Sequence, residues 1–546
     1  MKTNTRKIFA LALCLTMIFT VASCGEKGGG ESSSTSSDAG ESGAPVDTGG
    51  APVDAGSLNT AGAASARDTM TVAVSNDVGS LDPIDLGGGS QFKDISRMYC
   101  EPLFDIDANG DKVWILATGY ETVTPTQWIV HLREGVKFSN GNPFTADDVY
   151  FTLKANNTHP TWSPSIPVLG DLSASRVIDD YTLELNFESY DLSVVNNFPT
   201  IQMYDAESYD DEDMKVHPIG TGPYLVSEYV IDSHVNLVPN PDYWGTPGKI
   251  PNLKFRVINE PAQIVNALTT GGVDIATVPA QDVSYVQTLP DYTVILRSSG
   301  STQAIWFNTS VDSVFSSRDA RLAAVYSLNR QSIVDLVYFG ISSIPDWPLP
   351  STTFEYTPEL AAADPTYQNS PDIELAKQLA ESSGLAAKPV VIATNGVAEV
   401  ITMAEIVQAN LREIGVTAEI INLDPATAFS VYQDTTQYDI FFSGLYVPSN
   451  TAAQHYYGWY TYMASLNKGV WEGKDRFAEL AGLIMSVTDD AERYTYIKEM
   501  TEIFAREAPW YNLVEIMFAI GHNKNLVPGE FMMANNTYYS EWYWAA

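Results

Sequence analysis

The clearest alternation of apolar and polar side chains lies in the first third of the chain. Residues 127–132 alternate in the period-two pattern of a strand that turns one face toward a core. Asn140-Gly141 follows, and this dipeptide tolerates the positive φ of a tight hairpin turn. Thr145 can then cap a helix that begins at Ala146. The stretch therefore predicts a strand, a turn, a second strand and a capped helix.

Helical and strand patterns alternate through the last third of the chain. The predicted helices span 372–383, 398–414, a run that starts at 425, 475–485 and 491–507, and the predicted strands span 389–393, 416–423, 438–443 and 510–520. Such alternation implies an α/β sheet with helices on its faces, in which ligands gather at the carboxyl ends of strands. The residues after the strand that ends at Ser443 are therefore candidates for a binding site.

The size and charge of the chain limit the classes of protein to which it can belong. Its 546 residues are too many for one ordinary core and indicate two or three domains. The formal net charge of -37 argues against nucleic acid as a partner, because phosphates need a basic surface. An acidic coat also repels anionic lipid headgroups, so surface charge would not hold the protein to a membrane. The composition is typical of a soluble, secreted, acidic protein.

The amino terminus has the pattern of an export signal. Basic residues precede an apolar run over 8–21, which is too short and wrongly flanked for a spanning helix and predicts a signal peptide over residues 1–23. The run ends in V-A-S-C, which resembles a bacterial lipobox and implies cleavage before Cys24 and attachment of diacylglycerol to its sulfur. A plain secretory signal with an incidental cysteine is the alternative.

The residues that follow predict a tether. Over 24–68 the chain is mostly Gly, Ser, Ala, Asp and Pro, with almost no large apolar side chain. Such a composition cannot bury enough surface to offset the entropy of ordering. We therefore expect a flexible linker between the lipidated Cys24 and the folded part of the chain.

Several segments along the chain resemble one known family. The segments L-R-E-G-V-K-F at 132–138 and N-G-N-P-F-T-A-D-D-V at 140–149 resemble the signature of the family 5 extracellular solute-binding proteins, the oligopeptide- and dipeptide-binding receptors of ABC importers. Further similar segments follow the family order, namely S-L-D-P at 80–83, G-T-G-P-Y at 220–224, N-P-D-Y-W at 240–244, A-I-W-F-N-T at 304–309 and A-P-W-Y at 508–511. The resemblance covers about residues 70 to 546.

The resemblance implies an α/β, two-lobed periplasmic-binding-protein-like fold of the class with an extra subdomain, whose cleft closes about a hinge. It places lobe I in residues 69–94, 201–298 and 509–546, the inserted subdomain in 95–200, and lobe II in 299–508. It also implies ligand contacts at Gly87, Gly88, Gly89, Trp306, Asn308, Gly444, Leu445, Tyr446 and Tyr511, and the crowding of aromatic residues at 456–462 adds Trp459 as a candidate. A flexible loop for the glycines, core packing for the aromatic residues and a loop-capping role for Asn308 are the alternatives.

One position departs from the family pattern. In the peptide-binding relatives the segment reads G-W-x-x-D, where the Trp lines the pocket and the Asp pairs with the free amino terminus of the peptide. Here Leu445 replaces the Trp and Pro448 replaces the Asp. A buried ammonium needs a paired carboxylate. Either another acid such as Asp434 or Asp439 takes over, or the ligand has no free amino terminus there.

The resemblance implies a receptor with no catalytic step, no cofactor and no metal. The sequence has no H-E-x-x-H, G-x-S-x-G, Walker or paired-cysteine zinc motif. We expect a monomeric lipoprotein on the outer face of the bacterial cell membrane that captures peptides and delivers them to ABC permease subunits. An oligosaccharide ligand, which the aromatic residues at 456–462 could stack on, is one alternative. A secreted hydrolase is another, because an acid-rich chain always contains carboxylate pairs.

Overall fold

The structure of the protein is a computed structural model. It describes residues 53–54, 67–85, 90–158, 169–446, 451–466, 469, 471–529 and 537–545. The signal peptide, Cys24 and Pro448 lie outside the described residues, as do three of the predicted ligand contacts, Gly87, Gly88 and Gly89. Only the backbone of Leu445 and Tyr446 is described.

The described residues form strands and helices in a mixed order. The strands are β1 (Val53–Asp54), β2 (Thr69–Val74), β3 (Phe104–Ile106), β4 (Lys112–Trp114), β5 (Ala117–Thr124), β6 (Gln127–Leu132), β7 (Arg176–Asp179), β8 (Thr182–Asn186), β9 (Tyr224–Val230), β10 (His234–Pro239), β11 (Asn252–Val257), β12 (Ile275–Thr277), β13 (Tyr292–Phe307), β14 (Val390–Thr394), β15 (Ala418–Asn422), β16 (Ile440–Tyr446), β17 (Trp510–Asn523), β18 (Leu526–Val527) and β19 (Tyr543–Trp544). The helices are α1 (Ser90–Ser96), α2 (Ala146–Thr158), α3 (Leu192–Asn197), α4 (Asp211–Met214), α5 (Pro261–Thr269), α6 (Val283–Gln287), α7 (Arg318–Ser327), α8 (Arg330–Val337), α9 (Pro358–Ala363), α10 (Thr366–Asn369), α11 (Ile373–Ser383), α12 (Ala398–Glu413), α13 (Pro425–Tyr432), α14 (Ala452–Leu466), α15 (Lys474–Ser486) and α16 (Asp490–Glu507). Within the described ranges, no helix combines the length and the hydrophobicity that crossing a membrane requires.

A ten-stranded sheet organises the molecule, in the order β15-β14-β16-β13-β17-β12-β2-β11-β10-β9. Its centre is the antiparallel pair β13 and β17, which are also its longest strands, with 16 and 14 residues. The second part of β13 pairs with β16, and the second part of β17 pairs with β12. These two strands therefore join two halves of one sheet. Their ladder is interrupted by a register shift between Ser298 and Thr302.

A smaller antiparallel sheet, in the order β5-β6-β8-β7, contains the strand predicted at residues 127–132. Trp128, Val130 and Leu132 are buried on one face of β6, as the period-two pattern requires. The predicted second strand of the hairpin is reduced to a single bridge between Lys137 and Pro143. The predicted helix is α2, and Thr145 precedes it.

The alternating helices and strands of the last third are confirmed, with ends that move by one to three residues. Ile373, not Asp372, begins α11, because the Asp372 side chain accepts the Leu375 N–H at 3.0 Å and so caps the helix from outside. The aromatic run at 456–462 lies in α14, a helix that the patterns did not predict. Val53 and Asp54 of β1, within the stretch expected to be a tether, pair with β4.

Candidate functional site

Two of the predicted ligand contacts meet in one buried aromatic cluster. Trp306 on β13 lies opposite Trp510 on β17, with ring centroids 5.1 Å apart and an interplanar angle of 19°. Trp459 on α14 meets Trp510 edge-on at 5.2 Å. All three rings are fully buried. The structure therefore brings Trp306 and Trp459 together through Trp510, a residue that the sequence patterns did not single out.

Gly444 lies beside this cluster, where β16 approaches β13. The Trp306 Nε1–H donates to the carbonyl oxygen of Ser443 at 3.0 Å. A Cβ on Gly444 would lie 2.9 Å from the carbonyl oxygen of Thr302, so a glycine is needed for this close approach. The backbones of Leu445 and Tyr446 continue β16 opposite Thr302 and Ser301. The close approach of the two strands therefore explains the glycine at position 444, independently of any ligand contact.

The Asn308 side chain is engaged within the protein. Its Nδ2 donates to the carbonyl oxygens of Thr435 and Tyr438 at 2.6 and 2.7 Å, and its Oδ1 accepts the N–H and the hydroxyl of Ser310 at 3.0 and 2.7 Å. Asn308 is also buried. These bonds are those of a loop-capping residue, and a ligand contact at Asn308 stays a prediction.

Tyr511 lies away from the tryptophan cluster. As the neighbour of Trp510 on β17, it points to the opposite face of the sheet. Its hydroxyl donates to the carbonyl oxygen of Thr366 at 3.1 Å, and its ring lies 4.5 Å from that of Tyr367. Burial raises the pKa of Tyr511 to about 12. A ligand contact at Tyr511 also stays a prediction.

Asp434 and Asp439, the two acids proposed to replace the missing aspartate, are both engaged within the protein. Asp439 directly precedes β16, whereas Pro448 comes two residues after its carboxyl end. The seven residues of β16 carry the chain roughly 23 Å between these ends. Asp439 accepts the Val391 N–H at 2.9 Å and the Ser313 hydroxyl at 3.2 Å, and the half-buried Asp434 accepts hydrogen bonds from the side chains of Thr436 and Gln437. A ligand-pairing role for either acid stays a prediction.

The start of α14 lies at a contact between the segments that the sequence assigned to the inserted subdomain and to lobe II. The Asn196 Nδ2 on α3 donates to Gln454 Oε1 on α14 at 3.2 Å, and both side chains are buried. Nearby, a Cβ on Gly110 would lie 3.3 Å from the ring of Phe354. Leu192 of α3 belongs to the apolar cluster that contains the tryptophans. We call this region, built by α3 and the first turn of α14, the contact face.

Polar side chains gather at the contact face. The Ala452 N–H donates to the Glu355 carboxylate at 2.9 Å, and burial raises the pKa of Glu355 to about 7. The Thr451 hydroxyl donates to Gln454 at 3.2 Å. Glu355 is therefore a carboxylate at the start of α14, and the sequence patterns missed it because it lies 97 residues from Ala452 in the chain.

His455 is the remaining polar side chain of this turn. It is fully buried, and neither ring nitrogen has a hydrogen-bond partner among the described residues. Burial lowers the pKa of His455 to about 3, so the imidazole is neutral at physiological pH. As for metals, the described part of the chain contains no group of three His, Cys, Asp or Glu side chains placed to hold an ion.

Comparison with known proteins places the chain in a family. It matches the family model described as bacterial extracellular solute-binding proteins, family 5 Middle, over residues 113–466. It is 26% identical over 394 residues to the nickel-binding periplasmic protein of Escherichia coli K12, covering 68% of this chain and 74% of that protein. It is also 26% identical over 388 residues to di/tripeptide-binding protein 1 of Pseudomonas aeruginosa, covering 63% and 70%.

The solved structures support the same conclusion about the fold. The ABC transporter substrate-binding protein CtaP of Listeria monocytogenes superposes with a TM-score of 0.76 at 20% identity, covering 88% of this chain and 100% of that chain. This similarity confirms the two-lobed periplasmic-binding-protein fold. Because the family model covers more than half of the 546 residues, the chain belongs to family 5 of the bacterial extracellular solute-binding proteins, which bind small solutes and work with ABC permeases.

Proposed function

We propose that this chain is the receptor of an ABC importer, which captures a peptide between two lobes and presents the closed form to a membrane permease. The observation that carries the proposal is that β13 and β17 join the two halves of the sheet. The contact face is built by α3 and α14, which the proposal assigns to different sides of the cleft. Bending at the junction would open this face, and a bound solute would shift the population toward the closed form.

The proposed domain borders follow the family pattern. Lobe I comprises 69–94, 201–298 and 509–546, the inserted subdomain 95–200, and lobe II 299–508. In support, the register shift of β13 begins at Ser298, next to the proposed border. The apolar cluster with the tryptophans is drawn almost wholly from residues 304–514, apart from Leu192.

A peptide is the proposed solute. One relative is named a di/tripeptide-binding protein, and Glu355 places a carboxylate at the start of α14, where an ammonium could pair with it. An oligosaccharide, or a peptide with a blocked amino terminus, is the second candidate. The replacement of the family Asp by Pro448 and of the family Trp by Leu445 favours this second candidate.

The proposed location is the outer face of the bacterial cell membrane, with a lipid on Cys24. Several acyl chains hold a protein to a bilayer effectively irreversibly, whereas one is marginal. Cys24→Ala should therefore release the protein into the medium. Unchanged retention in the membrane fraction of the Cys24→Ala variant would contradict the anchor and leave the receptor proposal intact.

The receptor is proposed to hold its solute without transforming it. Calorimetry with trialanine, N-acetyl-trialanine and cellotriose should show saturable binding of at least one of them. Mass spectrometry of the same mixtures after prolonged incubation should show no products. Release of cleaved products would instead identify a hydrolase, and a native mass spectrum of the purified protein with its resident solute would give the solute mass directly.

A further inference from the structure

Arg67 is held in place where the predicted linker meets the folded part of the chain. Its guanidinium lies over the ring of Trp544 on β19, with Cζ 3.8 Å from the ring centroid. Its Nη1 pairs with Oδ1 of Asp274 at 3.2 Å, and the Asp274 side chain is buried, whereas that of Arg67 is 51% exposed. An aromatic ring and a carboxylate from two distant parts of the chain therefore hold one arginine. We call Arg67, Asp274 and Trp544 the Arg67 clamp.

The backbone that follows Arg67 is fixed as well. The carbonyl oxygen of Asp68 accepts hydrogen bonds from the N–H and the Nδ2 of Asn252 at 2.8 and 2.9 Å. The carbonyl oxygen of Thr69 accepts the Nε1–H of Trp544 at 2.9 Å. Trp544 therefore contacts the side chain of Arg67 and also binds the first residue of β2. The Arg67–Asp68 bond thus lies one residue before the large sheet begins.

Arg67 is the only basic residue in the sequence between Lys27 and Lys93. A protease of the trypsin type, which cuts after Lys or Arg, has no other cleavage site in this long stretch. Exposed segments of small polar residues, such as the predicted linker, are where proteolysis concentrates. Cleavage at Arg67 would add water across the Arg67–Asp68 amide and leave a carboxylate on Arg67 and an amino group on Asp68. The folded part of the chain would then be separated from Cys24.

The other basic residue of the linker, Lys27, differs from Arg67 in its position relative to the proposed lipid. Lys27 lies three residues after Cys24, which is no more than roughly 10 Å along an extended chain. With a lipid on Cys24, the bilayer surface would keep a folded protease away from Lys27. Arg67 is separated from Cys24 by the whole linker and has no such protection. The resistance of the junction to proteases therefore depends on how Arg67 itself is held.

We propose that the Arg67 clamp protects the junction between the linker and the folded part from proteases of the trypsin type. Such a protease binds the basic side chain in a pocket that contains a carboxylate, so Arg67 must first leave Asp274 and Trp544. Cleavage of a native protein requires local opening, and its rate follows the population of the open form. The clamp lowers that population. Its benefit to a membrane-bound receptor rests on the proposed lipid anchor, whereas the clamp itself does not.

Digestion with trypsin tests the Arg67 clamp. The full chain carrying Cys24→Ser is the parent, and it is compared with the same chain carrying in addition Arg67→Lys or Asp274→Asn. Lysine keeps a cleavable site but lacks the planar group that stacks on the indole ring. Asparagine keeps an oxygen for the Thr71 N–H, which Asp274 accepts at 2.8 Å. Mass spectrometry follows the fragment that begins at Asp68, and we expect it to form about fivefold faster or more from both variants.

Three controls make the comparison specific. Cleavage after Lys27 measures the activity of trypsin in each sample. Synthetic peptides of residues 60–72, with Arg or Lys at position 67, give the intrinsic cleavage rates after the two side chains. Asp291→Asn removes an exposed carboxylate that pairs with Lys524 on the surface, and it should leave the rate of cleavage at Arg67 unchanged.

The outcomes decide the proposal without reference to solute or lipid. After correction by the peptides, an unchanged rate in Arg67→Lys would overturn the clamp, as would equal rates in Asp274→Asn and Asp291→Asn. Arg67→Lys changes a half-exposed side chain, so it decides the question even where Asp274→Asn does not fold. Overturning the clamp would leave the receptor proposal standing. Conversely, retention of Cys24→Ala in the membrane fraction would contradict the anchor and leave the clamp standing.

Discussion

Ser298 donates a hydrogen bond from its hydroxyl to the buried carboxylate of Glu515, at the border between the two halves of the large sheet. The same carboxylate accepts the Ser343 hydroxyl at 3.2 Å, and the N–H and hydroxyl of Ser351 at 3.1 and 3.0 Å. Its donors therefore come from β13 and from the chain that follows α8. The hydrogen bonds of Glu515 therefore connect the junction of β13 and β17 to residues that are assigned above to lobe II.

Replacing Glu515 by alanine should destabilise the protein. The change leaves several buried donors without their acceptor, and we expect the free energy of unfolding to fall by about 2–4 kcal/mol in urea titrations. Glu419→Ala, at an exposed position of the edge strand β15, should change it by less than about 0.5 kcal/mol. Equal effects of the two substitutions would contradict the role given to Glu515.

The helices and strands of this fold could be predicted where a few neighbouring residues determine them. The alternation over 127–132 predicted β6, and the helix breaker Gly384 predicted the end of α11, because both depend on a few neighbouring residues. The helix α14 was not predicted, since the five Tyr and Trp residues crowded into 456–462 give no clear apolar–polar period. Local patterns predict elements best where one face is buried and the other is exposed.

The candidate site could be predicted only in part. Trp306 was named from the resemblance and Trp459 from the aromatic run, but Trp510, which joins them, lies on a strand buried on both faces and gives no alternating signal. Glu355 could not be found because its contact with α14 is set by tertiary packing. The sequence also could not show that Asp439 already accepts hydrogen bonds from Val391 and Ser313, because both partners are distant in the chain.

Glu101 should make the stability of the protein depend on pH. It is buried and accepts hydrogen bonds from Thr221, Tyr243 and Trp244 at 2.9, 2.7 and 2.9 Å, and burial raises its pKa to about 7. An unfolded glutamate loses its proton near pH 4.5. Between these values the folded state binds more protons than the unfolded state, so the free energy of unfolding falls as pH rises.

Glu101→Gln removes this titration. Between pH 4.5 and pH 7.5 we expect the stability of the wild type to fall by on the order of 3 kcal/mol more than that of Glu101→Gln. Urea titrations of the two proteins across this range measure the difference. Asp94 and Glu355, whose pKa values burial also raises to about 7, are present in both proteins and cancel in the comparison. Parallel curves would show that Glu101 titrates alike in the folded and unfolded states.

Trp306 and Trp459, the two tryptophans predicted as ligand contacts, should differ in how much they contribute to the stability of the protein. Trp306→Phe removes the hydrogen bond from Nε1 to the Ser443 carbonyl, whereas Trp459→Phe removes an N–H with no partner among the described residues. Both changes shrink a buried ring by the same amount. We therefore expect Trp306→Phe to lower the free energy of unfolding by about 1 kcal/mol more than Trp459→Phe. A larger loss for Trp459→Phe in urea titrations would contradict this assignment.

Glu355 provides the test of whether the solute carries a free amino terminus. The Ala452 N–H donates to its carboxylate at the start of α14, and burial raises its pKa to about 7, although the charge of Arg493 acts in the opposite direction. An ammonium group of the solute would add a second positive charge beside this carboxylate. Glu355→Gln keeps an oxygen that can accept the Ala452 N–H, so it removes the charge without removing the helix contact.

We expect Glu355→Gln to weaken the binding of trialanine about 10- to 100-fold at pH 8, because the ammonium loses its counter-charge. The binding of N-acetyl-trialanine should change less than about twofold, since no ammonium is present. Glu359→Gln is the matched control, because Glu359 is exposed and pairs with Lys498 on the surface. Calorimetry of both peptides with the three proteins measures these affinities. Equal weakening of both peptides would mean that Glu355 acts only on the helix, and an unchanged affinity for trialanine would mean that its ammonium binds elsewhere.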